Sequence, residues 1–315
     1  VSGRRSVTAA DLGAVVPVVV TPYTDAGAVD AAALERQTDL LSGQGCGWAA
    51  VGYGSEADRL TPDEISAVTR VVSGSLRVIG NVELTSVPAA VAAAERAAAS
   101  GAELVLVRPT GWGRVPLDEL GSAITAIADA GVPVLLQDAP QHTGVDLPVP
   151  ALAELLAGTS GLAGVKVEPP DPVGKIARLR RETGPDALVL GGLGGTHVVD
   201  ELVAGATATM PGPAFVDVFA AIAVLVAQGR VDEARRVHAG LLPFIVAAST
   251  SMDAFLVQQK HVLVGDGILT SARIRMPYGA GVEDVPAQHD DLAAALDLQM
   301  LRRRCAATRA EGARR

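Results

Sequence analysis

The chain has 315 residues, 49% hydrophobic and 19% charged, so it can fill one large core and is too apolar to stay disordered. Its formal net charge of -9 argues against nucleic acid as a partner, because a phosphate backbone calls for a basic surface. The most apolar helical stretch, AFVDVFAAIAVLVAQG from Ala214, is interrupted by Asp217 and too short to cross a bilayer, so no membrane partner is expected. The opening VSGRRSVTAADLG has no apolar leader core, and Cys46 and Cys305 follow no metal-ligand spacing, so the expectation is a reducing, cytoplasmic compartment.

Eight short apolar runs recur along the chain, at 14–23, 47–53, 76–83, 103–109, 133–140, 162–169, 187–195 and 206–212. Most are nearly continuous in Val, Leu, Ile and Ala, as strands of a parallel sheet buried on both faces are. Helical segments separate them. DAAALERQTDLLSGQG opens on an Asp cap, and LTPDEISAVTRVV carries Thr61, Pro62 and Glu64 in capping-box spacing. SVPAAVAAAERAAASG and PLDELGSAITAIADAG each stop at a glycine. Eight strand–helix units indicate an α/β fold, a (β/α)8 TIM barrel over 1–229, with a C-terminal helical extension over 230–315. A doubly wound open sheet is the alternative, but it wants a glycine-rich loop after the first strand and TPYTDAGAVD is not one. The extension reads as VDEARRVHAGLLPFIVAAS, MDAFLVQQKHVLVGDG and one last helix around DLAAALDLQMLRRR, packed on the barrel wall or on a neighbouring subunit. The basic tail RRRCAATRAEGARR reads as a frayed, solvated end.

Catalytic groups of such a barrel gather at the C-terminal ends of its strands. Only three of the 26 basic residues are lysine, namely Lys166, Lys175 and Lys260, and Lys166 stands inside the apolar run GVKVE. A desolvated lysine amine can lose its proton and attack a ketone, which a guanidinium cannot do. Strand alternation puts Glu168 on the same side as Lys166. A lysine paired with a carboxylate for structure alone is the competing reading. Asp138 should point the other way from its neighbour Gln137 and fix a loop. The glycine-rich GGLGGTH, with Gly192, could bring backbone close to a carboxylate or phosphate, or merely permit tight turns at the rim. No histidine or carboxylate cluster has metal-binding spacing, so neither a metal nor any other cofactor is expected.

The chain resembles the dihydrodipicolinate synthase/N-acetylneuraminate lyase family over nearly its whole length. Thr21-Pro22-Tyr23 matches the family's first-strand motif, and GYGSEADRLTPDE matches its next strand-end loop at Gly52, Glu56, Leu60, Thr61 and Glu64. QDAPQHTG matches at Pro140, Thr143 and Gly144, GVKVE matches the lysine-bearing strand, and LVAGATATMPG, with Met210, matches a later strand. QQKHVLVGDGILTSARIRMP matches at Lys260, Leu263, Arg275 and Pro277. The resemblance implies a class I aldolase or lyase in which Lys166 forms a Schiff base with pyruvate or a related 2-oxo acid. It further implies carboxylate binding by the loop at Gly52, Gly54 and Ser55, and a homotetramer or homodimer. The family's proton-relaying tyrosine falls on Gln137, which does not titrate, and its arginine after the fifth strand falls on His142. The two threonines of the carboxylate loop fall on Tyr53 and Gly54. Authentic dihydrodipicolinate synthesis is therefore not expected. The candidates for the acid–base role are Tyr53, Gln137 through a water, and Glu168, in that order. Thr21, His142, Gly192 and Met210 complete the expected substrate-binding set. A family member that binds a small keto acid without turning it over is the alternative.

Overall fold

The computed structural model describes residues 7–312. Residues 1–6 and 313–315, and the readings of the leader and the extreme tail that fall on them, lie outside the described part. Among the described residues there are seven strands: β1 (Trp48–Ala50), β2 (Arg77–Glu83), β3 (Ala102–Arg108), β4 (Val134–Asp138), β5 (Leu162–Val167), β6 (Leu188–Gly191) and β7 (Ala208–Thr209). All neighbours are parallel and follow chain order. The first apolar run closes the circle without forming a regular strand. Its Val16 and Val18 N–H groups donate to Thr209 and Pro211 on one side, and Val19 donates to Ala50 on the other. The pairing consists of the isolated bridges Val15–Thr209 and Val18–Ala50, and on the Ala50 side Pro17 has no N–H to give. The result is a (β/α)8 barrel with a C-terminal helical extension.

The helices begin where side-chain acceptors meet their free N–H groups. Asp30 caps Ala31–Gly43, and Thr61 and Glu64 form the reciprocal box on Pro62–Ser73. Along each strand, alternate residues divide between two cores. Val105, Val107, Val134, Leu136, Val165 and Val167 face the helices. Trp48, Ala50, Ile79, Leu104, Leu106, Leu135, Leu188, Leu190 and Met210 fill the barrel interior. This alternation dictates the site: continuing the inward set toward the C-terminal strand ends brings Gly52, Asn81, Arg108, Gln137, Lys166 and Glu168 to one mouth.

Among the described residues four α-helices follow the barrel: Val231–Ala248, Met252–Gly265, Val285–Ala295 and Leu298–Gly312. The expected single last helix is two, broken at Asp297, whose φ is 46°. The expected frayed tail is a packed helix through Gly312. Cys305 is fully buried, and Arg302 pairs with Asp217 at 2.8 Å and with Asp266 at 2.9 Å. Leu298, Leu301 and Cys305 make an apolar stripe in a segment whose overall composition is basic, and the stripe prevails over the charge. No helix among the described residues is long and apolar enough to cross a membrane.

One buried ion pair ties the extension to the barrel. Lys260, wholly inaccessible, contacts the equally buried Glu56 and donates to the Arg273 carbonyl at 2.7 Å. The other Glu56 oxygen accepts the Arg275 N–H at 2.7 Å. Glu56 itself ends the turn after β1 in a left-handed conformation, φ 59°. Removing one partner strands a charge in the interior. Lys260→Met is therefore expected to lose about 3–5 kcal/mol of stability in urea unfolding. A loss below about 1 kcal/mol, the scale of an exposed pair, would show that the pair does not hold the extension.

Candidate active site

The strand ends open into a cavity of about 740 Å³. Its floor is the inward residues of β1 to β5 with Met210, and its far wall is apolar, made by Phe215 beside the last barrel helix and by Ile245 and Phe255 of the extension. Gln137 and Lys166 are direct partners in the β4–β5 register, so their side chains emerge together. Lys166 Nζ lies 3.0 Å from Glu168 Oε1. Gln137 Nε2 donates to Glu168 Oε2 at 2.7 Å, and the Leu193 N–H donates to Oε1 at 2.9 Å. Burial drives the Glu168 carboxyl upward, but the Lys166 charge and these two donors outweigh it and leave its pKa lowered. Glu168 is thus an ionised carboxylate in an enclosed place, beside an amine. Gly192 is required there: a Cβ on it would fall 2.0 Å from Glu168 Oε1.

Asp138 points outward, as alternation requires, and pairs with Lys175 at 2.7 Å. Tyr53 borders the cavity, but its hydroxyl donates to Glu83 Oε1 at 2.9 Å and the Arg108 guanidinium lies 3.6 Å above its ring. Burial, then the bond to Glu83, pushes its pKa up to about 12. Its proton is held far from the range in which a phenol exchanges it near neutrality. Gly52, Gly54, His142 and Met210 also line the cavity. Burial lowers the His142 pKa, so the ring is neutral, and the charges of Glu168, Arg108 and Lys166 all act on it. Thr21 and Ser55 stand behind the wall. Thr21 donates to the Ser55 carbonyl at 2.6 Å, and Ser55 Oγ accepts from the Gly52 N–H and donates to the Val19 carbonyl. Their hydroxyls shape the loop from behind. Among the described residues no three His, Cys, Asp or Glu side chains gather as a metal-ligand set.

Arg108 and Glu201 are charged groups at the site with no counterpart in the sequence reading. Arg108 ends β3 on the inward parity, a signal that the strand-end rule alone would have flagged. Glu201 lies in the helix Val198–Val203, fully buried behind Gly191, and had no sequence signal.

The chain as a whole resembles known proteins. The model of the dihydrodipicolinate synthetase family matches residues 11–295, and the chain belongs to that family. Among curated relatives, L-2-keto-3-deoxyarabonate dehydratase of Azospirillum brasilense is 30% identical over 298 residues, covering 91% of this chain and 95% of that protein. A 4-hydroxy-tetrahydrodipicolinate synthase of Kineococcus radiotolerans is 29% identical over 299 residues, covering 90% and 93%. Among solved structures, dihydrodipicolinate synthase from Rhodopseudomonas palustris superposes with a TM-score of 0.82 at 24% identity, covering 92% of this chain and 99% of that one. A sialic acid aldolase from Ruminococcus gnavus gives 0.77 at 17% identity, with the same coverage. These two likenesses speak to the fold.

Glu201 yields a pH test. Burial, then the charge of Glu168, raises its pKa from 4.5 to about 8 against the smaller lowering by the Gly192 N–H. A carboxyl raised in the folded state contributes stability that is fully present below the unfolded value. That contribution is lost as pH rises from 4.5 to about 8. The wild type should lose up to about 1.4 kcal/mol per pH unit from this group across that window, and Glu201→Gln should flatten the slope. Urea midpoints measured from pH 5 to 8 decide it, and equal slopes for both proteins would contradict the assignment.

Proposed function

We propose that the protein is a Schiff-base-forming lyase acting on a 2-oxo acid, with Lys166 as the amine and Glu168 as the proton carrier, and that its reaction removes water. The observation that carries this is the 3.0 Å approach of Lys166 Nζ to a Glu168 carboxylate fixed by Gln137 and Leu193. Lys166 passes a proton to Glu168 or solvent and adds to the C2 carbonyl. Loss of water then leaves an iminium. Glu168 takes a proton from C3, giving an enamine. In a substrate with a hydroxyl on C4, the enamine electrons expel that hydroxyl, and Glu168 returns its proton so that water leaves. Hydrolysis of the conjugated iminium frees Lys166 and the unsaturated 2-oxo acid. One carboxyl serves both proton transfers, taking the proton from C3 and returning it to the hydroxyl on the adjacent C4.

Condensation with an aldehyde also needs a proton on the C4 oxygen, and the family resemblance implies a tyrosine as its source. Gln137 stands where the family resemblance puts a tyrosine, and an amide delivers none. Tyr53 is committed to Glu83. This is why Glu168 moves ahead of Tyr53 and Gln137 as the acid–base group, and why dihydrodipicolinate synthesis is not proposed. The Azospirillum brasilense relative, a dehydratase by name, supports the same choice. The substrate carboxylate is assigned to the turn at Gly52–Gly54, whose backbone borders the cavity, and the protein is taken to act as a homo-oligomer without a cofactor.

Borohydride reduction in the presence of pyruvate should add one mass increment per chain, mapped to residue 166, and Lys166→Arg should abolish it. Unchanged labelling of that variant, or none of the wild type, would return the Lys166–Glu168 pair to a structural role. Offered 4-hydroxy-2-oxo acids, the wild type should release a dehydrated product at an enzymatic rate of about 1 per second or more. Cleavage to pyruvate in its place would keep the imine and refute the dehydration.

A further inference from the structure

Resting on the Schiff-base reading, we propose that Arg108 forms a second anion subsite in the same cavity, so that the substrate carries a carboxylate at its far end as well as beside its ketone. Arg108 is 8% exposed and borders the cavity. Among the described residues its guanidinium donates no hydrogen bond: Nε is buried without a partner, and the nearest carboxylate oxygen, Glu83 Oε1, lies 3.3 Å from it outside hydrogen-bond alignment. Both Glu83 oxygens are already engaged, accepting from Tyr53 at 2.9 Å and from Thr110 at 3.0 Å. The Tyr53 ring supports the guanidinium from one face at 3.6 Å. The arginine is thus stacked and oriented, with its outer nitrogens unspent. A buried guanidinium with unused donors leaves a cost that an incoming oxyanion removes, and the planar fork matches a carboxylate with two parallel bonds.

The position fits a distal contact. Arg108 ends β3, Gln137 lies in β4 and Lys166 in β5, so the guanidinium stands two strands from the imine. His142, neutral and acted on by the charges of both Arg108 and Lys166, borders the space between as a donor or acceptor for a hydroxyl. Among charged side chains lining the cavity, Lys166 is paired with Glu168 and Arg59 with Asp253, whereas Arg108 has the misaligned Glu83 oxygen as its charge partner and keeps its outer nitrogens unused.

The test compares five-carbon acids that differ only at the far end. In borohydride trapping, 2-oxoglutarate should reach half-labelling at a concentration at least tenfold below that of 2-oxopentanoate. Arg108→Gln should collapse that ratio toward one, and Arg108→Lys, which keeps the charge and loses the fork, should fall between. The ratio is internal to each protein, so general damage to a variant does not imitate it. A wild-type ratio near one, or one unchanged in Arg108→Gln, overturns the subsite. Calorimetry with glutarate against pentanoate, neither of which can form an imine, separates the two readings. Preferential glutarate binding that depends on Arg108 supports the subsite even if no 2-oxo acid is trapped, and equal binding of the two acids refutes it while leaving the imine to stand on pyruvate labelling.

Discussion

A single buried carboxylate sets the terms for everything at the barrel mouth. Glu168 is enclosed, yet it stays ionised because Lys166 lies 3.0 Å away and because Gln137 and the Leu193 N–H donate to its two oxygens. Each partner is in turn fixed by the barrel. Gln137 and Lys166 are register partners, Leu193 follows β6, and Gly192 leaves the space that the carboxylate fills. A charge of this kind in a low-dielectric place costs several kcal/mol unless paired. The fold provides the pairing, and the same pairing positions an amine and a base side by side.

The amide at position 137 takes its meaning from this arrangement. A phenol there would be one more proton donor, whereas an amide cannot titrate and so fixes the orientation and charge of its neighbour. Tyr53 has likewise been drawn away from the chemistry, its hydroxyl bound to Glu83 and its ring covered by Arg108. In the proposed reaction, proton traffic is then concentrated on Glu168, with the neutral His142 as a bystander that can meet a hydroxyl. Behind β6, Glu201 adds a further acid group that burial keeps protonated to about pH 8, which spares Glu168 a second full negative charge nearby.

The barrel was legible because parallel strands buried on both faces leave unmistakable apolar runs, and each of the eight runs lands on a stave. The first shows the limit of that signal. Its composition reads as a strand, but its pairing consists of single bridges, and Pro17 has no N–H to give. Lys166 and Glu168 were legible through rarity and alternation, two properties of the chain alone. The roles of Thr21, Ser55 and Tyr53 were not, because a hydroxyl in a strand-end loop can turn toward the cavity or toward the backbone, and only packing decides which. The packed tail escaped for a related reason: its apolar stripe, Leu298, Leu301 and Cys305, is diluted by arginines that find Asp217 and Asp266 only in three dimensions.

If Glu168 moves the C3 proton of an imine on Lys166, exchange measures that step without waiting for turnover. Pyruvate in deuterium oxide, followed by proton NMR, should lose its methyl signal with the wild type. Glu168→Gln should still be labelled by borohydride at residue 166 yet exchange about 10²–10⁴-fold more slowly, the usual contribution of a general base. Exchange at the wild-type rate in that variant, with the imine intact, would contradict the account.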